Sequence, residues 1–221
     1  MESFIRIVKK VVWVIAVLMS AYHLYAGAFG APEAMMHRSI HLLFTLVLIF
    51  LVGMTGGEKQ SRGKIGFDTL LLLLTFLSIG YLFVNYDYVV TRYPYVHPVS
   101  LWDFVMGVIV TLILLEASRR VIGWALPITA AVFLLYARFG NYLPGLMRHT
   151  GFSMETVIDQ LYLTTEGIFG IPLGVSATYV ILFVIFGAFL EESGTGQFFT
   201  DFASSLVGGA KGGPGKISVI S

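Results

Sequence analysis

The chain has 221 residues, of which 57% are hydrophobic and 12% charged, with a net charge of +1 and no cysteine. Its mean hydropathy is +0.83. Soluble domains carry about one quarter charged residues, so this composition excludes a disordered chain, a coiled coil and a disulfide scaffold. The charge is too small for a nucleic-acid footprint, and the apolar content would leave large patches against water in a soluble fold. The composition predicts an all-α polytopic membrane protein.

A helix crosses the hydrocarbon core with about 20 apolar residues, and about 17 can suffice. Residues 11–32, 39–57, 69–86, 121–137 and 167–190 contain no Lys, Arg, Asp or Glu. Residues 99–115 form a further candidate, interrupted by Asp103, which places that carboxylate near a membrane surface. The runs are apolar all round, without the alternation of a membrane barrel, so six helices are expected. The first run also has the outline of a signal peptide, with basic residues before it and small residues at Ala26-Gly27-Ala28. Its length favours a membrane helix.

Basic residues set the orientation. Arg6, Lys9, Lys10, Lys59, Arg62, Lys64, Arg119, Arg120, Lys211 and Lys216 lie on one side of the six runs, and Arg38, Arg92, Arg138 and Arg148 on the other. Ten against four places both ends of this segment in the cytoplasm. Arg119 and Arg120 read as cytoplasmic anchors closing the fourth run.

The connections differ in character. Residues 58–64 form a short polar turn, whereas 87–98 are rich in Tyr and Pro and suit an interfacial belt. Within 138–166, Ser153 is placed to cap a helix over 154–164. There Met154, Val157, Ile158 and Leu161 make an apolar stripe, with Glu155 and Asp159 off it, as in an amphipathic helix at the outer surface. Residues 192–216 mix glycines, aromatics and small residues, and read as a broken helix and turn. Val219-Ile220-Ser221 resembles the start of another apolar segment, as in the front part of a longer protein.

Chemistry is sparse. The stretch from Ala210 to Ile217 approaches a phosphate loop, but Ile217 stands where a hydroxyl must coordinate magnesium and no strand leads in. His37 and His41 are four residues apart, with no third metal ligand evident. His23 lies inside the first run, where an ionisable group is a functional candidate by default; hydrogen bonding to Tyr22 or another helix is the plainer reading. Glu191-Glu192 point apart on a helix and form no catalytic pair. Gly53/Gly57, Gly170/Gly174 and Gly208/Gly212 offer close helix contacts. No enzyme constellation, catalytic residue or metal site is present.

The run EGIFGIPLGVSATYVILFVIFGAFLEESGTGQFFTDFASSLVGGAKGGPGKISVIS (166–221) resembles the start of the large membrane subunit of tripartite ATP-independent periplasmic (TRAP) transporters. LLEASRRVIGWALP (114–127), with His149-Thr150-Gly151, is similar to the region joining the small-subunit helices to the large subunit. The likeness is closest to fused permeases paired with a TAXI-type solute-binding protein, although the family usually has Ala where Gly215 stands. It implies a secondary transporter of the bacterial or archaeal cell (inner) membrane. A sodium gradient would drive uptake of an organic anion handed over by the periplasmic binding protein. By this resemblance 1–120 form a four-helix small-subunit-like scaffold, and 121–165 a connecting helix and periplasmic amphipathic segment. Residues 166–221 begin an elevator-type transport domain, with Gly194, Gly196, Gly208, Gly212, Gly213 and Pro214 shaping its first turns. The implied partners are the binding protein, the rest of the large subunit and the lipid bilayer. Sodium is the implied coupling ion, with no other cofactor, and the ion- and substrate-binding residues are expected downstream of Ser221. The rival reading is a non-transporting membrane scaffold that assembles with another protein.

Overall fold

The computed structural model describes residues 2–56 and 61–207. Among them the regular elements are all helical. The chain divides into two units, residues 1–177 and 178–221.

The first unit is built on long helices α1 (Glu2–Phe29), α2 (Ala34–Thr55), α3 (Arg62–Val84) and α5 (Leu101–Val121), with the short α4 (Tyr86–Thr91) between the last two. α1 packs on α2, α2 on α3, and α3 on α5. α6 (Ala125–Phe139), α7 (Met154–Tyr162) and α8 (Ile171–Val175) follow. A single apolar core joins Leu42, Leu46 and Phe50 of α2, Ile79 of α3, Val110 and Ile113 of α5, Ile158 and Tyr162 of α7, and Phe169. The end of this body carrying the 30–33 and 85–100 connections is called the upper end below.

Caps define the helix starts. The Glu33 carboxylate accepts from the Met35 and Met36 amides to open α2. Ser100 and Asp103 form a reciprocal capping box at α5, and Ser153 caps α7 through the Thr156 amide.

Ala34–Thr55, Gly63–Val84, Leu101–Val121 and Ile171–Glu192 are each long and apolar enough to cross a membrane. The interrupted 99–115 run is therefore a full-length helix, because α5 continues through its basic end to Val121. The run at 121–137 comes out shorter than expected. Gly123 takes a left-handed conformation (φ 95°), and α6 starts only at Ala125. Its 15 residues reach about 22 Å against a hydrocarbon core of roughly 30 Å.

Two further expectations change. Residues 87–91, read as part of the outward connection, belong to α4, which begins at the last residue of the 69–86 run. The amphipathic helix at 154–162 is present, but its buried residues are Ile158, Asp159 and Tyr162. Asp159 therefore points into the protein, because Arg92 waits there to pair with it. α7 approaches α5 closely at Gly107, where a Cβ would stand 2.4 Å from Ile158 Cγ2 and 3.1 Å from Tyr162 Cβ.

In the second unit, α9 (Ile181–Glu192) is followed by α10 (Thr195–Val207). Gly194, at φ 72°, makes the turn between them, with its amide bonded to the Glu191 carbonyl at 3.2 Å. In the stretch read as a broken helix and turn, the break falls at Ser193-Gly194, and Thr195–Val207 form a regular helix on which Phe198 and Phe202 stack.

Candidate functional site

Charged and polar side chains gather at three places in the first unit. At the upper end, Asp103 is fully buried. Its carboxylate accepts from Tyr81 and Tyr88 hydroxyls, each at 2.9 Å, and from the Ser100 amide at 3.0 Å. Burial and the hydrogen bond to Asp103 push the Tyr88 phenol up from its ordinary value, so it stays a donor. Arg92, carried in by α4, forms an ion pair with Asp159 of α7, and both side chains are 1% exposed. Arg92 also donates to the His97 carbonyl at 2.9 Å, and the Tyr95 amide donates to Asp159 at 2.9 Å. That last bond holds Tyr95 at φ 63°, in the left-handed region that bulky residues rarely occupy. Beside this pair lies a cavity of about 330 Å³ lined in part by Glu33, Arg92, Tyr95, Thr164 and Glu166.

At the opposite end, Asp68 of α3 is completely buried and pairs with Arg120 at 2.6 Å. Arg120 also holds Glu116 at 2.7 Å, and Glu116 takes Arg119 at 2.7 Å. The two arginines thus differ. Arg120 bridges α3 and α5 beneath the rings of Phe50 and Phe67, whereas the more exposed Arg119 lies over Trp124. A Cβ at Gly53 would stand 3.1 Å from Arg120 Nη1 and 3.2 Å from Asp68 Oδ2. This glycine gives α2 room beside the ion pair.

The third place is the seam between the α1–α2 hairpin and residues 165–177. His23 Nδ1 lies 2.7 Å from the Met19 carbonyl, and His23 Nε2 lies 2.9 Å from His41 Nδ1. His41 Nε2 lies 3.1 Å from the Ser176 hydroxyl. His37 lies between the Tyr22 hydroxyl, at 2.9 Å, and the Ala177 carbonyl, at 3.2 Å. Arg38 donates to the Phe169 carbonyl at 2.7 Å. Its guanidinium also occupies the space a side chain at Gly174 would need. The histidines are engaged in hydrogen bonds, and among the described residues no group of three or more His, Cys, Asp or Glu is arranged to hold a metal.

Of the glycines expected to shape the second unit, Gly194 lies at the left-handed turn and Gly196 in the first turn of α10, with open space at its Cβ position. Gly208, Gly212, Gly213, Pro214 and Gly215 lie outside the described residues, as do Gly57, Lys59, Lys211 and Lys216. Asp68 and the Arg92–Asp159 pair escaped the sequence reading. Ser100-x-x-Asp103 was a legible capping signature. Arg92 and Asp159 are 67 positions apart, and no local pattern connects them.

The model of the family described as "Tripartite ATP-independent periplasmic transporter, DctM component" matches residues 109–221. The chain belongs to this family. The match begins inside α5, eight residues after the helix starts. No curated protein and no solved structure matches the chain. Membership makes this a TRAP transporter membrane component, whose partners include a periplasmic binding protein and membrane lipid.

Proposed function

We propose that the chain supplies the first helices of a fused TRAP permease, in which small-subunit-like helices and the DctM component are one polypeptide. The observation that carries this is the position of the family match. It opens at Ile109, inside α5, yet α5 shares one core with α2 and α3, which precede the match. Residues 1–120 then serve as scaffold and 121–165 as connection, with 166–221 opening the transport domain. α1 adds a crossing to the four long apolar helices and the short α6 adds another by local thinning of the bilayer around it, with both ends of the segment cytoplasmic. A sodium gradient drives uptake of an organic carboxylate delivered by a TAXI-type binding protein.

In this reading the upper end faces the periplasm and receives the partner. The 92–98 connection, braced by Arg92–Asp159, and the 138–166 segment present its surface there. Photocrosslinking residues placed at Val96 and Leu146, both strongly exposed, capture the binding protein in the full-length permease, and one at Ser61 does not. Capture at Ser61 alone overturns the assignment.

A further inference from the structure

Proton positions in the histidine seam follow from the carbonyls at its ends. A carbonyl only accepts, so His23 Nδ1 carries a hydrogen toward Met19, and His23 Nε2 keeps its lone pair. His41 Nδ1 must then donate to it, which leaves His41 Nε2 accepting from the Ser176 hydroxyl. The second row runs the opposite way. His37 Nε2 donates to the Ala177 carbonyl, and His37 Nδ1 accepts from the Tyr22 hydroxyl. With all three rings neutral, every ring nitrogen is satisfied, and both rows tie the hairpin to Ser176 and Ala177.

The His23–His41 pair differs from an isolated buried ring. An added proton enters at His41 Nε2, Ser176 turns its hydroxyl from donor to acceptor, and the new charge spreads along the bond between the imidazoles. The surroundings oppose that charge. Among the described residues, the titratable side chains beside the pair are Tyr22 from α1 and His37 from α2, Arg38 reaches instead to the Phe169 carbonyl, and residues 171–177 contribute none. No carboxylate is among them, and the His37 ring centroid is 5.7 Å from that of His23. A buried charge without a counter-ion strains whatever encloses it. The strain falls on Ser176, the first residue of a π-turn over Ser176–Val180. Such turns concentrate at functional positions, and the second unit begins at Thr178.

We propose that the His23–His41 pair is a single-proton site that makes this clasp acid-sensitive. Neutral, it holds Ser176 and Ala177 on the α1–α2 hairpin; carrying a proton from solvent, it loosens that hold. Full-length protein with ¹⁵N-labelled histidine in bilayers tests this by NMR between pH 8 and about pH 3.5, because a buried pair without a counter-ion takes its proton only well below the ordinary imidazole range. At pH 8, His23 and His41 show Nδ1–H tautomers and His37 shows Nε2–H. On acidification the pair takes up one proton. Amide exchange over residues 171–180, corrected for its intrinsic pH dependence, then speeds by about tenfold or more, as an opening linked to one unit of proton affinity requires. In H41Q, which keeps a polar partner for Ser176 but takes no charge, that rise disappears. Nε2–H tautomers at His23 and His41, a pair still neutral at about pH 3.5, or wild-type exchange without the rise overturns the proposal. The wild-type spectra and exchange decide it even if H41Q does not fold.

Discussion

Replacing Asp159 by Ala strands the Arg92 guanidinium, which is 94% buried as a residue and has Asp159 as its ion-pair partner. Removing one member of a buried pair costs about 3–5 kcal/mol, because the remaining charge is left uncompensated in a poorly solvated site. The Tyr95 amide loses its acceptor as well, releasing the residue held in the left-handed region. For a domain of 150–250 residues each kcal/mol shifts the thermal midpoint by roughly 2–4 °C, and by less in a longer chain, so D159A lowers it by about 3–10 °C in detergent-solubilised full-length protein. The double variant R92A/D159A removes both charges and is less destabilised than the sum of the single variants by about 2 kcal/mol or more. Fluorescence-monitored thermal melts of the four proteins measure both quantities. A D159A shift below about 2 °C, or strictly additive single and double variants, would refute the reasoning that the pair braces α4 against α7.

Other consequences are equally open to measurement. G107A drives a methyl group into Ile158 and Tyr162 and lowers stability by about 1–3 kcal/mol, whereas G196A, with open space around it, leaves the melting midpoint unchanged or raised. R120A abandons fully buried Asp68 and destabilises by about 3 kcal/mol or more. R119A, which removes a partly exposed partner of Glu116, costs under about 1 kcal/mol, and melts of the two variants reveal the asymmetry. The absence of cysteine from these 221 residues lets a cysteine introduced here report topology once any others are replaced. A cysteine at Val96 reacts with a membrane-impermeant maleimide in intact spheroplasts, and one at Ser61 reacts only after permeabilisation; the reverse pattern inverts the orientation.

The long helices were legible because membrane crossing demands uncharged length, and that demand is written locally. α5 and α6 show where the rule needs more than apolar runs. In α5 the interruption at Asp103 is a capping residue, and the charged end at Glu116–Arg120 is still helix. In α6 a single left-handed glycine trims the start. The charge count assigns Arg38 and Arg92 only to a side of the membrane, whereas in the structure Arg38 binds backbone carbonyls and Arg92 is buried against Asp159. Local sequence carries no trace of these pairings, because their partners come from elements 67 to 131 positions away. His23 was readable as a buried hydrogen-bonding residue. Its partner proved to be His41, with Tyr22 serving His37 instead. The stripe on α7 misled for a related reason: a paired Asp can face a core, and hydrophobic spacing alone cannot register its partner.

The central claim, that these helices belong to a sodium-driven fused TRAP permease, is tested most directly by uptake into proteoliposomes containing the full-length protein. Solute accumulates when its binding protein is present outside and an inward sodium gradient is imposed, and accumulation stops when either is withdrawn. Uptake that persists without sodium, or proceeds without the binding protein, contradicts the account.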